Sequence, residues 1–212
     1  MSRRKHGNCF AVTQTQTEIS VDPKRLRILE GAFKTVLAYG FSRTTMDDIA
    51  RAADMSRPAL YLLFKNKTDI YRAIALMLLD KSANEAQRVL SGDGGLGERL
   101  TAMIEVCLIA MMQTIAESPH GAEILDMKGS LAGDIAATWR SGLSGSIEQA
   151  IGREAKRNGV DLAERGLSAK GMADMLLDGL EAMKMRLSDP GEQRMAARGL
   201  VRVIELALQA KE

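Results

Sequence analysis

Histidine is almost missing from this sequence: its 212 residues contain two, His6 and His120. The first lies in a polar stretch and the second directly follows Pro119, so acid–base chemistry and a His-rich metal centre have little material. Cysteine is equally scarce. Cys9 and Cys107 stand far apart, one in polar and one in apolar surroundings, which does not make a disulfide framework. Neither a dinucleotide glycine motif nor a phosphate loop occurs, since the glycines of SGDGGLG at 91–97 follow no strand. No uninterrupted apolar run approaches about 18 residues, and the start MSRRKHGNCFAVTQTQTEIS lacks the apolar core of a secretion signal. These absences predict a cytoplasmic protein that is not an enzyme, carries no cofactor or metal and does not enter a membrane.

Aromatic residues are few, at 4%, and runs of β-branched residues are few as well, whereas alanine, leucine and 13 methionines are plentiful. That is the balance of an all-α chain. Residues 1–22 show no periodicity and read as a flexible basic arm. Asp22-Pro23 then supplies a cap and a first turn, and Leu26, Leu29, Ala32, Phe33, Val36 and Leu37 recur at helical spacing up to Gly40, which reads as a left-handed stop. Thr44 and Thr45 each have an Asp three residues on, a variant capping box that opens a second helix. Ser56 and Pro58 open a third, and a fourth runs from about Thr68 to Leu90. Five more follow at about 97–117, 119–128, 131–158, 168–187 and 190–210, giving about nine.

Charge divides the chain unevenly. Met1 to Lys67 holds 12 Lys and Arg against 6 Asp and Glu, whereas Thr68 to Glu212 holds 17 against 21. A basic front third suits a polyanionic partner, although a solvated surface has the same composition.

The second and third helices are separated only by Asp54-Met55-Ser56, so they must cross at a sharp, fixed angle. Packed through Ile49, Ala53, Met55, Leu60 and Phe64, they make a helix-turn-helix whose second helix can enter a DNA major groove. Its outer positions are Ser56, Arg57, Pro58, Ala59, Tyr61 and Leu62, followed by Lys65 and Lys67. Arg57 suits a guanine edge, Tyr61, Lys65 and Lys67 suit phosphates, and Thr44 and Thr45 offer hydroxyls at a helix start. The same geometry is common in helical proteins without a DNA role, and a helical protein–protein module remains the alternative.

The run Gly40-Phe41, Thr44-Thr45, Ile49-Ala50, Ala53, Ser56, Leu60-Tyr61, Phe64, Lys67 resembles the amino-terminal domain of TetR-family transcriptional regulators, over roughly residues 24 to 75. The resemblance implies a homodimeric, ligand-responsive repressor that binds a palindromic operator in double-stranded DNA and is released by a small-molecule inducer. Residues 23–68 would then be the DNA-binding domain and 69–212 a helical ligand-binding and dimerisation domain. Two positions depart from the family pattern: Asp54 replaces a turn glycine, and Leu63 replaces a frequent His or Tyr.

In the back of the chain, Met172, Leu176, Leu180 and Met183 form one apolar stripe and Leu200, Ile204 and Leu208 another. They either close the chain's own core or pair with a second copy, and the resemblance favours the pair. Met103, Cys107, Met111, Met127, Trp139 and Met175 are the expected lining of a largely apolar effector cavity. Glu105, Glu123, Asp126 and Asp178 would serve either a cationic ligand or surface ion pairs.

Overall fold

The computed structural model describes residues 22–210, with the backbone alone at 110–112, 125 and 127–129. The expected basic arm, residues 1–22, lies almost wholly outside the described residues. No strand occurs among the residues described, and nine α-helices do. They are α1 (Pro23–Tyr39), α2 (Met46–Ala52), α3 (Arg57–Leu63), α4 (Lys67–Leu90), α5 (Leu96–Ile104), α6 (Ala110–Ala116), α7 (Gly121–Arg157), α8 (Ala169–Arg186) and α9 (Pro190–Ala207). The count agrees with the sequence through two offsetting differences. A π turn at Glu105–Ile109 splits the helix expected at 97–117, and the two expected at 119–128 and 131–158 join into α7, which kinks at Ala132 (φ −137, ψ 22).

Local chemistry sets the helix starts. Asp22, Thr45, Ser56, Asn66, Ser168 and Asp189 each accept a backbone N–H from the first turn that follows. Thr45, not Thr44, takes the capping box with Asp48. At Gly40 the backbone has φ 83 and ψ 157, positive but outside the left-handed helical region the sequence suggested. A Cβ at this position would collide with the Glu123 carboxylate, so the glycine serves a close approach of α7. Gly31 does the same for α2, since a Cβ there would lie 3.0 Å from the Ala52 carbonyl group.

Three apolar clusters hold the chain together. The front one joins α1, α2, α3 and the start of α4 through Ile28, Ile49, Leu60, Phe64, Ile70 and Ile74. The back one joins the end of α4 to α5, α7, α8 and α9 through residues such as Leu100, Ile104, Ile147, Leu176, Val201 and Ile204. A third, with Val36, Tyr71, Ile115, Ile124 and Ala132, lies between them. The expected domain boundary after residue 68 falls in the first turn of α4, and that helix serves all three clusters. By length and composition Leu96–Ala116 would suffice to cross a bilayer. Here Leu96, Leu100, Met103, Ile104, Cys107 and Leu108 are buried in the back cluster.

The residues of the expected dimer stripe pack inside the single chain. Met172, Leu176, Leu180, Met183, Ile204 and Leu208 are buried within the single chain, and Leu200 packs half-buried against the same cluster, over Gly179. Sequence periodicity finds the most apolar face of a helix, and the chain's own core takes that face first. The apolar residues left outward on α8 and α9 are Met175, Met185, Met195, Val203 and Leu206.

Candidate functional site

The turn between α2 and α3 is closed by backbone hydrogen bonds from Met55 to the Ala50 carbonyl (3.0 Å) and from Asp54 to the Arg51 carbonyl (3.2 Å). Asp54 stands at φ 52, and among the described residues no other non-glycine residue has positive φ. A left-handed non-glycine residue costs about 1–2 kcal/mol, reduced for Asp. Glycine removes that cost and adds about 0.5–1 kcal/mol of chain entropy loss. Asp54→Gly is therefore expected to leave the fold and DNA affinity intact and to change stability by at most about 1 kcal/mol, read from thermal melting.

The turn presents α3 outward. Leu60 and Phe64 are buried beneath it, and the Arg25 guanidinium stacks 4.4 Å from the Phe64 ring centre. Arg57, Pro58, Tyr61, Leu62 and Lys65 are exposed, Leu62 to 87%, while Ser56 caps the helix and Ala59 is half-buried. Arg57 reaches Asp47 of α2 at 3.2 Å and lies 5.5 Å above the Tyr61 ring, its Nη2 donating to the Tyr61 hydroxyl at 3.5 Å. That hydrogen bond and the Asp47 charge raise the guanidinium pKa, so it is always cationic. The pair holds Arg57 extended along α3 while leaving its donors at the surface. Leu63, the departure from the family pattern, is half-buried against the front cluster.

Two residues expected to contact DNA have their polar groups engaged within the chain. The Thr44 hydroxyl is buried and donates to the Gly40 carbonyl at 2.6 Å, so it faces inward. Lys67 is half-buried, its Nζ donating to the carbonyls of Phe41 (3.0 Å), Ser42 (3.2 Å) and Thr44 (3.3 Å) above the Phe41 ring. An ammonium has three N–H donors, and all three are engaged. Thr45 stays exposed, but its hydroxyl and N–H both serve Asp48, whose carboxyl that hydroxyl holds below the usual range. Arg43 and Arg51, exposed on the same side, line a polar hollow with Tyr39 and His120. Sequence reading passed over both, although each is a basic residue beside an element already assigned to DNA.

Between the front and back clusters lies an apolar cavity of about 80 Å³, walled by Phe33, Tyr71, Leu78, Leu108, Ala136 and Trp139 among others. Of the six expected lining residues, Trp139 is in this wall. Met103 and Cys107 are sealed in the back cluster, where burial also pushes the Cys107 thiol pKa up, and Met175 faces out. Met111 and Met127 have side chains outside the described set. Methionine at helical spacing marks any close-packed interior, so spacing alone does not tell lining from core.

The cavity is bounded by α4 and α7, and these helices are also tied by polar contacts. The Tyr71 hydroxyl donates to the Ile124 carbonyl at 3.1 Å. Arg72 makes a two-pronged pair with Asp134 (2.9 and 2.7 Å) and also donates to the Leu131 carbonyl (2.5 Å), beside the kink at Ala132. Arg72 holds the Asp134 carboxyl down at about 2. Nearer the DNA-facing side, Glu123 accepts the backbone N–H (2.8 Å) and hydroxyl (2.5 Å) of Ser42, which lower its carboxyl pKa. Neither these contacts nor Tyr71 and Arg72 were expected from sequence, because their partners lie more than 50 residues away.

Comparison with known proteins agrees with this arrangement. Residues 28–74 match the bacterial regulatory proteins of the tetR family. An HTH-type transcriptional regulator of Bacillus subtilis (strain 168), YhgD, is 35% identical over 72 residues, 34% of this chain and 37% of that protein. A probable acrEF/envCD operon repressor of Escherichia coli (strain K12) is 38% identical over 52 residues, 24% of either chain. This chain thus spans well under half the length of those two relatives. Among solved structures, SmeT, the repressor of the Stenotrophomonas maltophilia multidrug efflux pump SmeDEF, superposes with a TM-score of 0.62 at 21% identity, covering 84% of this chain and 88% of that one.

Proposed function

From the premise that this chain belongs, through its amino-terminal helix-turn-helix, to the TetR family of transcriptional regulators, we propose that it is a cytoplasmic, ligand-responsive repressor. It binds a palindromic DNA operator as a homodimer. The observation that carries this reading is the outward face of α3, where Arg57, Tyr61 and Lys65 stand exposed over an anchor of buried Leu60 and Phe64. Ser56, Arg57, Pro58, Ala59, Tyr61, Leu62 and Lys65 meet the groove, with Arg43 and Arg51 reaching the backbone beside it. The second copy docks on the outward faces of α8 and α9, where Met175, Met185, Met195, Val203 and Leu206 stand exposed among the described residues. The effector occupies the cavity between α4 and α7. At about 80 Å³ this cavity is well short of the roughly 300 Å³ of a ligand-sized site, so occupation must spread the two helices.

Footprinting of genomic DNA bound to the protein tests the DNA role. The recovered fragments should share an inverted repeat whose half-site centres lie about 34–36 Å apart or a multiple of that spacing. Affinity for such a fragment should fall steeply with salt. Arg57→Ala should lower it about tenfold and flatten the preference at one base pair of each half-site. Recovery of no fragment above the level seen with an Arg57→Ala/Tyr61→Ala double variant would refute the assignment.

A further inference from the structure

We infer that this chain reads thymine, and that Leu62 does so by packing against the 5-methyl group that thymine presents in the major groove. The inference rests on α3 being the recognition helix. Residues four apart stand in rows along that helix. Arg57 and Tyr61 form a polar row on the side of α2, where Arg57 pairs with Asp47 at 3.2 Å. Ala59 and Leu63 form a half-buried row. Pro58 and Leu62 form an apolar row, and both are exposed.

The apolar row is the outermost. Leu60 is the residue that α3 buries, and on a helix of 3.6 residues per turn the positions two before and two after it are turned about 160° away. Leu62 is accordingly 87% exposed, against 43% for Tyr61. The crown of α3 therefore carries no hydrogen-bonding side chain. A single exposed leucine is ordinary on a protein surface. This one stands among exposed cations: Arg57 on its flank, Lys65 just beyond the helix, and Arg43 and Arg51 before and within α2.

Those charges seat α3 between phosphates, and the crown then meets base edges with a carbon surface. Thymine alone among the four bases offers a methyl group there. Against adenine, guanine or cytosine, a leucine would strip water from donors and acceptors without pairing them. Arg57 reads a different base pair, because it lies five residues and about 7.5 Å along the helix from Leu62, about twice the rise between base pairs. The two preferences can be separated by substitution.

A duplex recovered by footprinting is rebuilt with deoxyuridine in place of one thymidine at a time, which removes a 5-methyl group and leaves base pairing unchanged. One thymine of each half-site is expected to matter. Removing its methyl should weaken binding by the full chain about fourfold in one half-site and about fifteenfold in both. Leu62→Ala should bind the thymine and uracil duplexes within about 1.5-fold of each other, and Leu62→Met should recover most of the methyl effect. Arg57→Ala should bind more weakly overall yet keep the effect. Because Leu62 is exposed, Leu62→Ala should melt within about 2 °C of the parent chain. A methyl effect at no position, or one undiminished in Leu62→Ala, would overturn the inference. A duplex bound tightly and equally with and without its methyl groups leaves the DNA-binding reading standing and removes this one, whereas recovery of no duplex removes both.

Discussion

Lys67→Met is expected to lower stability by about 3 kcal/mol and to weaken DNA binding about a hundredfold, without changing how binding responds to salt. The argument begins from the three carbonyls under the ammonium. Phe41, Ser42 and Thr44 belong to the loop that delivers α2, and Lys67 is the first residue of α4. One side chain therefore fixes the entry of α2 against the start of α4. Methionine keeps the aliphatic stem beside Phe41 but leaves two part-buried acceptors, the carbonyls of Phe41 and Thr44, without their donor. Each such loss costs about 1–3 kcal/mol, and the loop can relax only by shifting α2.

Salt dependence separates this role from the phosphate contact that the sequence suggested. Removing a phosphate contact reduces the slope of log affinity against log salt by about one, whereas loosening a supporting loop lowers affinity at every salt concentration alike. Thermal melting and a binding series at three ionic strengths decide between them. Arginine should not rescue, because its planar fork cannot converge on three carbonyls as an ammonium does. An unchanged melting temperature with a reduced slope would return Lys67 to the DNA.

The contrast shows which features a sequence makes legible. Caps were readable because their partners lie within four residues: Asp22, Thr45 and Ser56 all act where they were expected. The helix-turn-helix was readable because Leu60 and Phe64 lie one turn apart and the Asp54 turn permits one crossing geometry. The intramolecular bonds of Lys67 were not legible, because a lysine beside a recognition helix looks the same whether its ammonium meets a phosphate or a carbonyl 26 residues away. The stripes of α8 and α9 were found, but periodicity does not say whether such a face closes the chain's own core or is left outward. Arg72 was invisible because Asp134 lies 62 residues on, although a helix break had been expected at 129–130, close to the kink at Ala132.

Arg72→Met is expected to leave ligand-free operator binding nearly unchanged and to abolish its release by effector. Arg72 and Asp134 have substantially exposed side chains, so their pair adds little to stability and melting should barely move. Their position matters more than their strength. Arg72 follows Tyr71, a cavity wall residue, and it grips the Leu131 carbonyl and Asp134 on either side of the Ala132 kink. A ligand that spreads α4 from α7 pushes on this grip, and α4 also carries Ile70 and Ile74 of the front cluster. Effector coupling of this kind is typically about 5- to 150-fold in affinity, and without the grip it should shrink to about twofold or less. Asp134→Asn keeps the Leu131 bond, so it should retain an intermediate response, and the double variant should behave as Arg72→Met alone. The pH dependence follows from the lowered carboxyl. Because the folded pKa is about 2, below that of an unpaired Asp, the pair is intact above the unfolded value and is lost only as pH falls through about 2. Release measured at pH 5 should therefore equal release at pH 7. Full release by effector in Arg72→Met would show that the helices communicate through the apolar cluster at Val36, Tyr71 and Ile124 without the polar clasp.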